Sequence, residues 1–170
     1  FQRTLVANQT PFDRWMRGEP DAMTERPVSG MQEFVIAGCA DCHSGPLFSD
    51  FELHVLGVQE GVDIVEPDEG NGEFAFRTPT LRQLNSTATY FHAGQFSTLS
   101  RAIEFYDSPR RSSNRNVPSP NLDPELLEVP EMDDGRGAII QEFLDALNDD
   151  NFDKTVPETV PSGLTPGGFE

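Results

Sequence analysis

The sequence predicts a mainly α-helical domain with long irregular loops. Apolar residues recur at helical spacing in three separate stretches: Met31, Phe34 and Val35; Leu99, Ala102, Ile103 and Tyr106; and Ile139, Ile140, Phe143, Leu144 and Leu147. Between them the chain is rich in turn formers, with 14 Gly and 14 Pro, and its mean hydropathy is −0.47. No βαβ pattern and no internal repeat is visible. At 170 residues the chain suits one domain with room for a core.

Residues 1–27 open abruptly. Phe1-Gln2-Arg3-Thr4-Leu5-Val6 reads as the end of a helix. Thr10-Pro11-Phe12-Asp13-Arg14-Trp15 then reads as a turn into a short helix, with Thr10 or Asp13 available as a cap. Trp15, the single tryptophan, is read as packing rather than as a relay for electrons. Pro27 stands near the start of a helix expected over Val28 to Gly38.

That helix delivers Gly38-Cys39-Ala40-Asp41-Cys42-His43-Ser44-Gly45-Pro46. A C-x-x-C-H run is the attachment signature of c-type haem. Two thiols one short turn apart, Cys39 and Cys42, can each form a thioether to a haem vinyl. His43 then follows as the proximal iron ligand. A thioredoxin-type dithiol belongs beside a βαβ pattern. A structural zinc site needs further ligands at close spacing, and His54 and His92 are far apart. The expected cofactor is therefore one covalent haem c. Covalent attachment implies an export compartment such as the bacterial periplasm, with a leader already removed or the chain a piece of something longer.

After Gly45-Pro46, residues 47–76 read as loop with one short extended piece at Phe51 to Val58. Glu66, Asp68, Glu69 and Glu73 lack EF-hand ligand order, so they read as a solvated loop rather than a calcium site. Phe76-Arg77-Thr78-Pro79-Thr80-Leu81-Arg82 is expected as a short helix around a proline. Its arginines, Arg77 and Arg82, are candidate partners for haem propionates, with ordinary surface pairing as the alternative. His92, in a turn-like aromatic segment, is a hydrogen-bond partner near the cofactor or a packed loop histidine.

The helix expected over Ser97 to Asp107, capped by Ser97 or Thr98, puts Tyr106 on the buried face with Leu99, Ala102 and Ile103. Its phenol should point toward the haem. Residues 108–132 read as a long loop, the last helix starts near Asp133 or Asp134, and the Pro- and Gly-rich stretch from Asn148 reads as an extended tail.

A formal net charge of −17 disfavours nucleic acid as a partner, since that binding rests on Lys and Arg neutralising phosphates. Long-range attraction instead favours a redox partner with a basic surface, although acidity also serves solubility alone. No apolar run approaches membrane-spanning length.

Several motifs together resemble one family. Phe1-Gln2-Arg3-Thr4-Leu5-Val6, Pro11-Phe12-Asp13-Arg14-Trp15, Cys39-Ala40-Asp41-Cys42-His43-Ser44-Gly45-Pro46, Arg77-Thr78-Pro79-Thr80-Leu81-Arg82 and Tyr90-Phe91-His92-Ala93-Gly94 look like the bacterial di-haem cytochrome c peroxidase and MauG family. So do Phe143-Leu144-Asp145-Ala146-Leu147 and Val160-Pro161-Ser162-Gly163-Leu164. The resemblance runs in order along nearly the whole chain. It implies the family's C-terminal haem domain: an inter-domain linker remnant over 1–27, a cytochrome c-like haem domain over 28–147 and a tail over 148–170. The family's second C-x-x-C-H domain, with the peroxide-reactive haem, is absent from this sequence, so a complete peroxidase is not implied.

In the peroxidases a methionine follows the Phe-His-x-Gly segment as sixth iron ligand. Tyr106 stands at the corresponding position, which resembles the MauG branch. A phenolate is hard and anionic, so it stabilises ferric iron and lowers the potential, where a thioether favours ferrous iron. Met132, or an open site with Tyr106 as packing, are the alternatives. The resemblance also implies a calcium ion held partly by the backbone at Thr87 and Thr89. His54 is given no role.

Two functions follow from these expectations. One is the electron-relay haem domain of a MauG-like or peroxidase-like oxidoreductase, working with another haem-bearing domain or chain. The other is a stand-alone electron-transfer cytochrome. The face toward a missing domain should be apolar, with Phe1, Leu5 and Phe12 contributing.

Overall fold

The computed structural model describes residues 7–59, 66–107, 114–151 and 159–163. The architecture is mainly α, as expected. Helix α1 spans Pro11–Met16, α2 Glu25–Ile36, α3 Cys39–Cys42, α4 Leu99–Glu104 and α5 Asp134–Asp145, with several 3-10 turns between them. One two-stranded antiparallel ribbon, β1 (Leu53–His54) and β2 (Phe76–Arg77), interrupts the loops.

Helix α1 begins as its sequence directs. Thr10 Oγ1 accepts the Asp13 amide at 3.1 Å, while the Asp13 carboxylate accepts the Thr10 hydroxyl at 2.7 Å, and Pro11 needs no partner at the first helical position. Phe12, expected on an exposed apolar face, is turned inward instead. Its amide donates to the Ala146 carbonyl at 3.1 Å, and its ring packs edge-on against Phe48 and Phe143 at 5.3 and 5.8 Å. Phe1 and Leu5 lie outside the described residues. Trp15 packs partly against the core, in keeping with a structural role.

Helix α2 starts three residues before the expected Val28, after Thr24. Pro27 therefore sits at the third helical position. The first-turn amides have no intrahelical acceptor, so its missing N–H costs nothing there. The helix stops at Ile36, before Gly38 takes a left-handed φ of +77°. The buried side of α2 is Gly30 and Phe34 with Met31 beside them, whereas Val35, expected on that side, is 60% exposed.

Helix α5 is capped by Asp133, whose carboxylate accepts the Arg136 amide at 2.8 Å. It packs on α2, as its apolar stripe requires. The contact is close because Gly30 has no side chain: a Cβ there would lie 2.1 Å from the Ile139 carbonyl oxygen. Phe34, Ile140, Phe143, Leu144 and Leu147 form the centre of the core.

Residues 76–82 are not the short helix expected around Pro79. Phe76 and Arg77 pair with His54 and Leu53. The Thr78 amide donates to the Glu52 carbonyl at 3.0 Å, and the Ser49 hydroxyl donates to the Thr78 carbonyl at 2.7 Å. Non-local partners take the backbone groups that a helix would have used. Helix α4, capped by Thr98, is shorter than Ser97 to Asp107 because its last turn tightens into a 3-10 turn at Phe105–Asp107.

The described part of the 108–132 loop holds 3-10 turns at Ser119–Asn121 and Pro124–Leu127. Val117, Leu122 and Leu126 make a second small core there. Beyond α5, the buried Asp149 accepts the Gln9 amide at 2.9 Å, fastening the two ends of the domain together. Among the described residues no helix is long and apolar enough to cross a membrane.

Candidate functional site

Helices α2 to α5 and the described loop residues 54–58, 74–92 and 114–132 contribute to the lining of a cavity of about 610 Å³. Cys39, Cys42 and His43 line one side of it. The sequence builds this wall locally: Gly38 turns the chain out of α2, α3 holds the two cysteines one turn apart, and the His43 amide closes that turn on the Cys39 carbonyl at 2.9 Å.

His43 Nδ1 lies 3.0 Å from the Phe48 carbonyl. A proton on Nδ1 donated to that oxygen fixes the tautomer and leaves Nε2 as the ring's coordinating atom. Burial pushes the His43 pKa below its ordinary value, outweighing the Phe48 hydrogen bond, so the imidazole is neutral and its lone pair available. Burial also pushes the Cys39 thiol up to about 12. Cys42 rises to about 11 through burial and the nearby acids Asp50, Glu125, Asp123 and Asp41. A redox dithiol needs a depressed thiol pKa, so this pair is the opposite of an activated one.

Tyr106, on the turn that ends α4, lines the same cavity, and Met132 lines it too, its amide held by the Asp107 carboxylate at 3.0 Å. Burial pushes the Tyr106 phenol well above its ordinary value. A thiol pair, an imidazole with one nitrogen committed, and a phenol and a thioether lining the same cavity make a donor set that suits a covalent haem. Leu99, Ile103, Ile140 and Leu144 supply apolar wall. The residues present fit the group.

Both arginines singled out from the sequence line the cavity, with different commitments. Arg82 is engaged by protein: its two terminal nitrogens reach the Asp13 carboxylate at 2.9 Å each, and its Nε reaches the Pro46 carbonyl at 2.6 Å. Arg77 stacks its guanidinium 4.6 Å from the centroid of the Phe51 ring. His92 stacks flat on Phe76 at 3.7 Å and also faces the cavity. Thr87 and Thr89 line it as well, and the Thr87 hydroxyl lies 3.3 Å from the Leu84 carbonyl.

Sequence reasoning missed His54. Its Nδ1 lies 2.6 Å from Asp123 and its Nε2 3.0 Å from Asp50, and it borders the cavity beside Cys42. Asp50, four residues earlier, was the only local signal. Asp123 is 69 residues away and left none. Glu66, Asp68, Glu69 and Glu73 are exposed, as the solvated-loop reading requires.

No protein-family model matches the chain. Individual proteins do. The methylamine utilization protein MauG of Methylorubrum extorquens is 38% identical over 112 residues, covering 62% of this chain and 32% of that protein. Cytochrome c551 peroxidase of Nitrosomonas europaea is 31% identical over 112 residues, covering 61% of this chain and 34% of that protein. Cytochrome-c peroxidase IdrP1 of a Pseudomonas species is 30% identical, with 87% of this chain and 47% of that protein covered. The chain thus spans about a third to a half of these relatives. Among solved structures, a MauG-like protein associated with microbial copper homeostasis superposes with a TM-score of 0.73 at 22% identity, over 88% of this chain and 51% of that one. The diheme peroxidase BthA from Burkholderia thailandensis gives 0.64 at 20% identity, over 92% of this chain and 50% of that one.

Proposed function

We propose, for a chain that belongs to the MauG and di-haem cytochrome c peroxidase family, the role of the family's electron-relay haem domain. It is a cytochrome c-like domain with one covalent haem c, passing electrons to or from a reactive haem on another domain or chain. The observation that carries this is the cavity wall formed by Cys39, Cys42 and a His43 whose Nδ1 is committed to Phe48.

Each residue has a separate task. Cys39 and Cys42 tether the group at its edge. His43 presents Nε2 to the iron, held in orientation by the Phe48 carbonyl. Tyr106 would supply a further donor to the iron beside His43, with Met132 taking that role if the phenol is only packing. Leu99, Ile103, Ile140 and Leu144 keep water from the faces of the group. Arg77 is the arginine left for a propionate, because Arg82 is already bound to Asp13. His92 supports the same edge from its stack on Phe76. Bound haem supplies a one-electron ferric/ferrous couple, and a phenolate ligand biases it toward ferric.

A calcium ion at the backbone of Thr87 and Thr89, completed by another domain, belongs to the same reading. So does an exported, periplasmic location. The partners are a second haem-bearing domain or chain and a redox protein with a basic surface, which the net charge of −17 favours. Val35, Ile36, Leu47, Phe51 and Leu53 are exposed apolar residues available for such contacts.

Mass spectrometry of the denatured native protein should find the polypeptide plus one haem, and the bare polypeptide mass would end this reading. In the ferric protein Tyr106→Phe should change the spin state, since the donor oxygen is lost while the ring remains. An unchanged spectrum would transfer the ligand role to Met132. A haem count on the intact gene product separates the relay domain from a stand-alone electron-transfer cytochrome.

A further inference from the structure

His54 sits between two carboxylates. Nδ1 is 2.6 Å from Asp123 Oδ2 and Nε2 is 3.0 Å from Asp50 Oδ2. A neutral imidazole has one N–H, so it can donate to only one of them. With both carboxylates ionised, the two contacts need the doubly protonated cation, and burial, which works against the charge, is outweighed by the two hydrogen bonds.

Each carboxylate is anchored on its own side. The Asp50 amide donates to the Cys42 carbonyl at 2.8 Å, and its Oδ1 accepts the Glu52 amide at 3.0 Å. Asp123 Oδ2 also accepts the Val55 amide at 3.1 Å, and the Asp123 amide donates back to the Val55 carbonyl at 3.1 Å. The C-x-x-C-H turn and the β1 strand that follows it thus meet a segment distant in sequence, the turn at Pro124–Leu127, whose Leu126 lines the cavity. The meeting point touches the attachment residue itself, with Cys42 Sγ 3.9 Å from His54 Nδ1.

We propose that Asp50, His54 and Asp123 form a charged clamp that fastens the 114–127 wall to the haem-attachment turn, with His54 a positioning residue whose charge tunes the iron's reduction potential. The inference rests on the reading that Cys39, Cys42 and His43 carry haem. Asp41, Asp50, Asp123 and Glu125 all act on Cys42 as negative charges, and His54 is the positive group set among them. Ferric haem carries one more positive charge than ferrous, so net negative charge at its edge lowers the potential and positive charge raises it. The clamp therefore has two separable effects: mechanical closure, to which all three residues contribute alike, and a field in which His54 and the two aspartates act with opposite sign.

The test uses the haem-loaded native protein and two near-isosteric variants, His54→Gln and Asp123→Asn, at about pH 5.5, below the ordinary histidine value. Both variants should melt at lower temperature than the native protein, since each breaks the clamp. Their potentials should move in opposite directions, His54→Gln downward and Asp123→Asn upward. Shifts of the same sign would mean that loosening of the wall alone moves the potential. Unchanged potentials would mean that the clamp does not act on the iron. Either result overturns the proposal. Native protein without covalent haem would overturn the reading beneath it instead, and the mass measured beforehand tells the two failures apart.

Discussion

The cavity has two unlike sides. On one, α2 and α5 pack side chain into side chain, and Phe34, Ile140, Phe143 and Leu147 are almost fully buried. On the other, the described residues between His43 and Met132 have two short strands, the six-residue α4 and a series of tight turns, held by hydrogen bonds between distant segments. Phe48, Phe51, Phe74 and Phe91 all have left-handed φ between +52° and +65° there, a conformation costly for bulky residues. The helical side is stabilised by burial, and the loop side by polar clamps such as Arg82–Asp13 and His54–Asp123. The first is one apolar core, whereas the second carries His43, Tyr106 and Met132, the donor side chains that line the cavity.

Three substitutions sharpen this contrast. Phe143→Ala removes a ring that is 1% exposed and packs on Phe12, Phe34 and Phe48. Denaturant melting should show a loss of about 3–5 kcal/mol, the largest effect of the three. A loss below about 1 kcal/mol would mean that the helical side is not where stability lies. Gly30→Ala sets a methyl against the Ile139 carbonyl oxygen, 2.1 Å from it. Backbone cannot swing aside, so α2 and α5 should separate at a cost of about 2–3 kcal/mol. Circular dichroism should show the helices retained while the melting temperature falls.

The smallest effect belongs to the loop side. Asp13→Asn weakens the clamp to Arg82 and should cost about 1.5 kcal/mol at neutral pH. Burial works to raise the Asp13 pKa, but the Arg82 and Thr10 hydrogen bonds prevail and hold it below the ordinary value of 3.8. The contribution is therefore complete above that value and is lost as pH falls through the lowered one. Acid melting of the native protein should begin to approach that of Asp13→Asn as pH falls below 3.8 and meet it only below the lowered value. If the two stay parallel through acid, Asp13 acts by packing rather than by charge.

How far the molecule was legible in advance follows the same division. The apolar stripes of α4 and α5, the Thr10 and Thr98 caps and the C-x-x-C-H turn were all readable, because each depends on residues within one or two turns of one another. Where expectation failed, a non-local partner had taken over. Residues 76–82 looked helical beside Pro79 until pairing with Leu53 and His54 claimed Phe76 and Arg77. Of the two readings left open for Arg82, a propionate or an acidic neighbour, the structure supplies the acid, Asp13, from 69 residues away. Phe12 looked like surface until Ala146 held its amide.

The sequence by itself determined a mainly helical chain, the attachment turn at Cys39 to His43 and the inward face carrying Tyr106. Local periodicity and short-range hydrogen bonding suffice for these, since their partners lie on the same few turns of backbone. Only the tertiary structure decided that Phe48 orients His43, that Arg82 is committed to Asp13, and that His54 stands between Asp50 and Asp123. Phe48 and Asp50 are near neighbours of their histidines but lie in irregular turns with no periodicity to read. Asp13 and Asp123 reach their partners across 69 residues, where a loop can close at almost any length for little additional entropy.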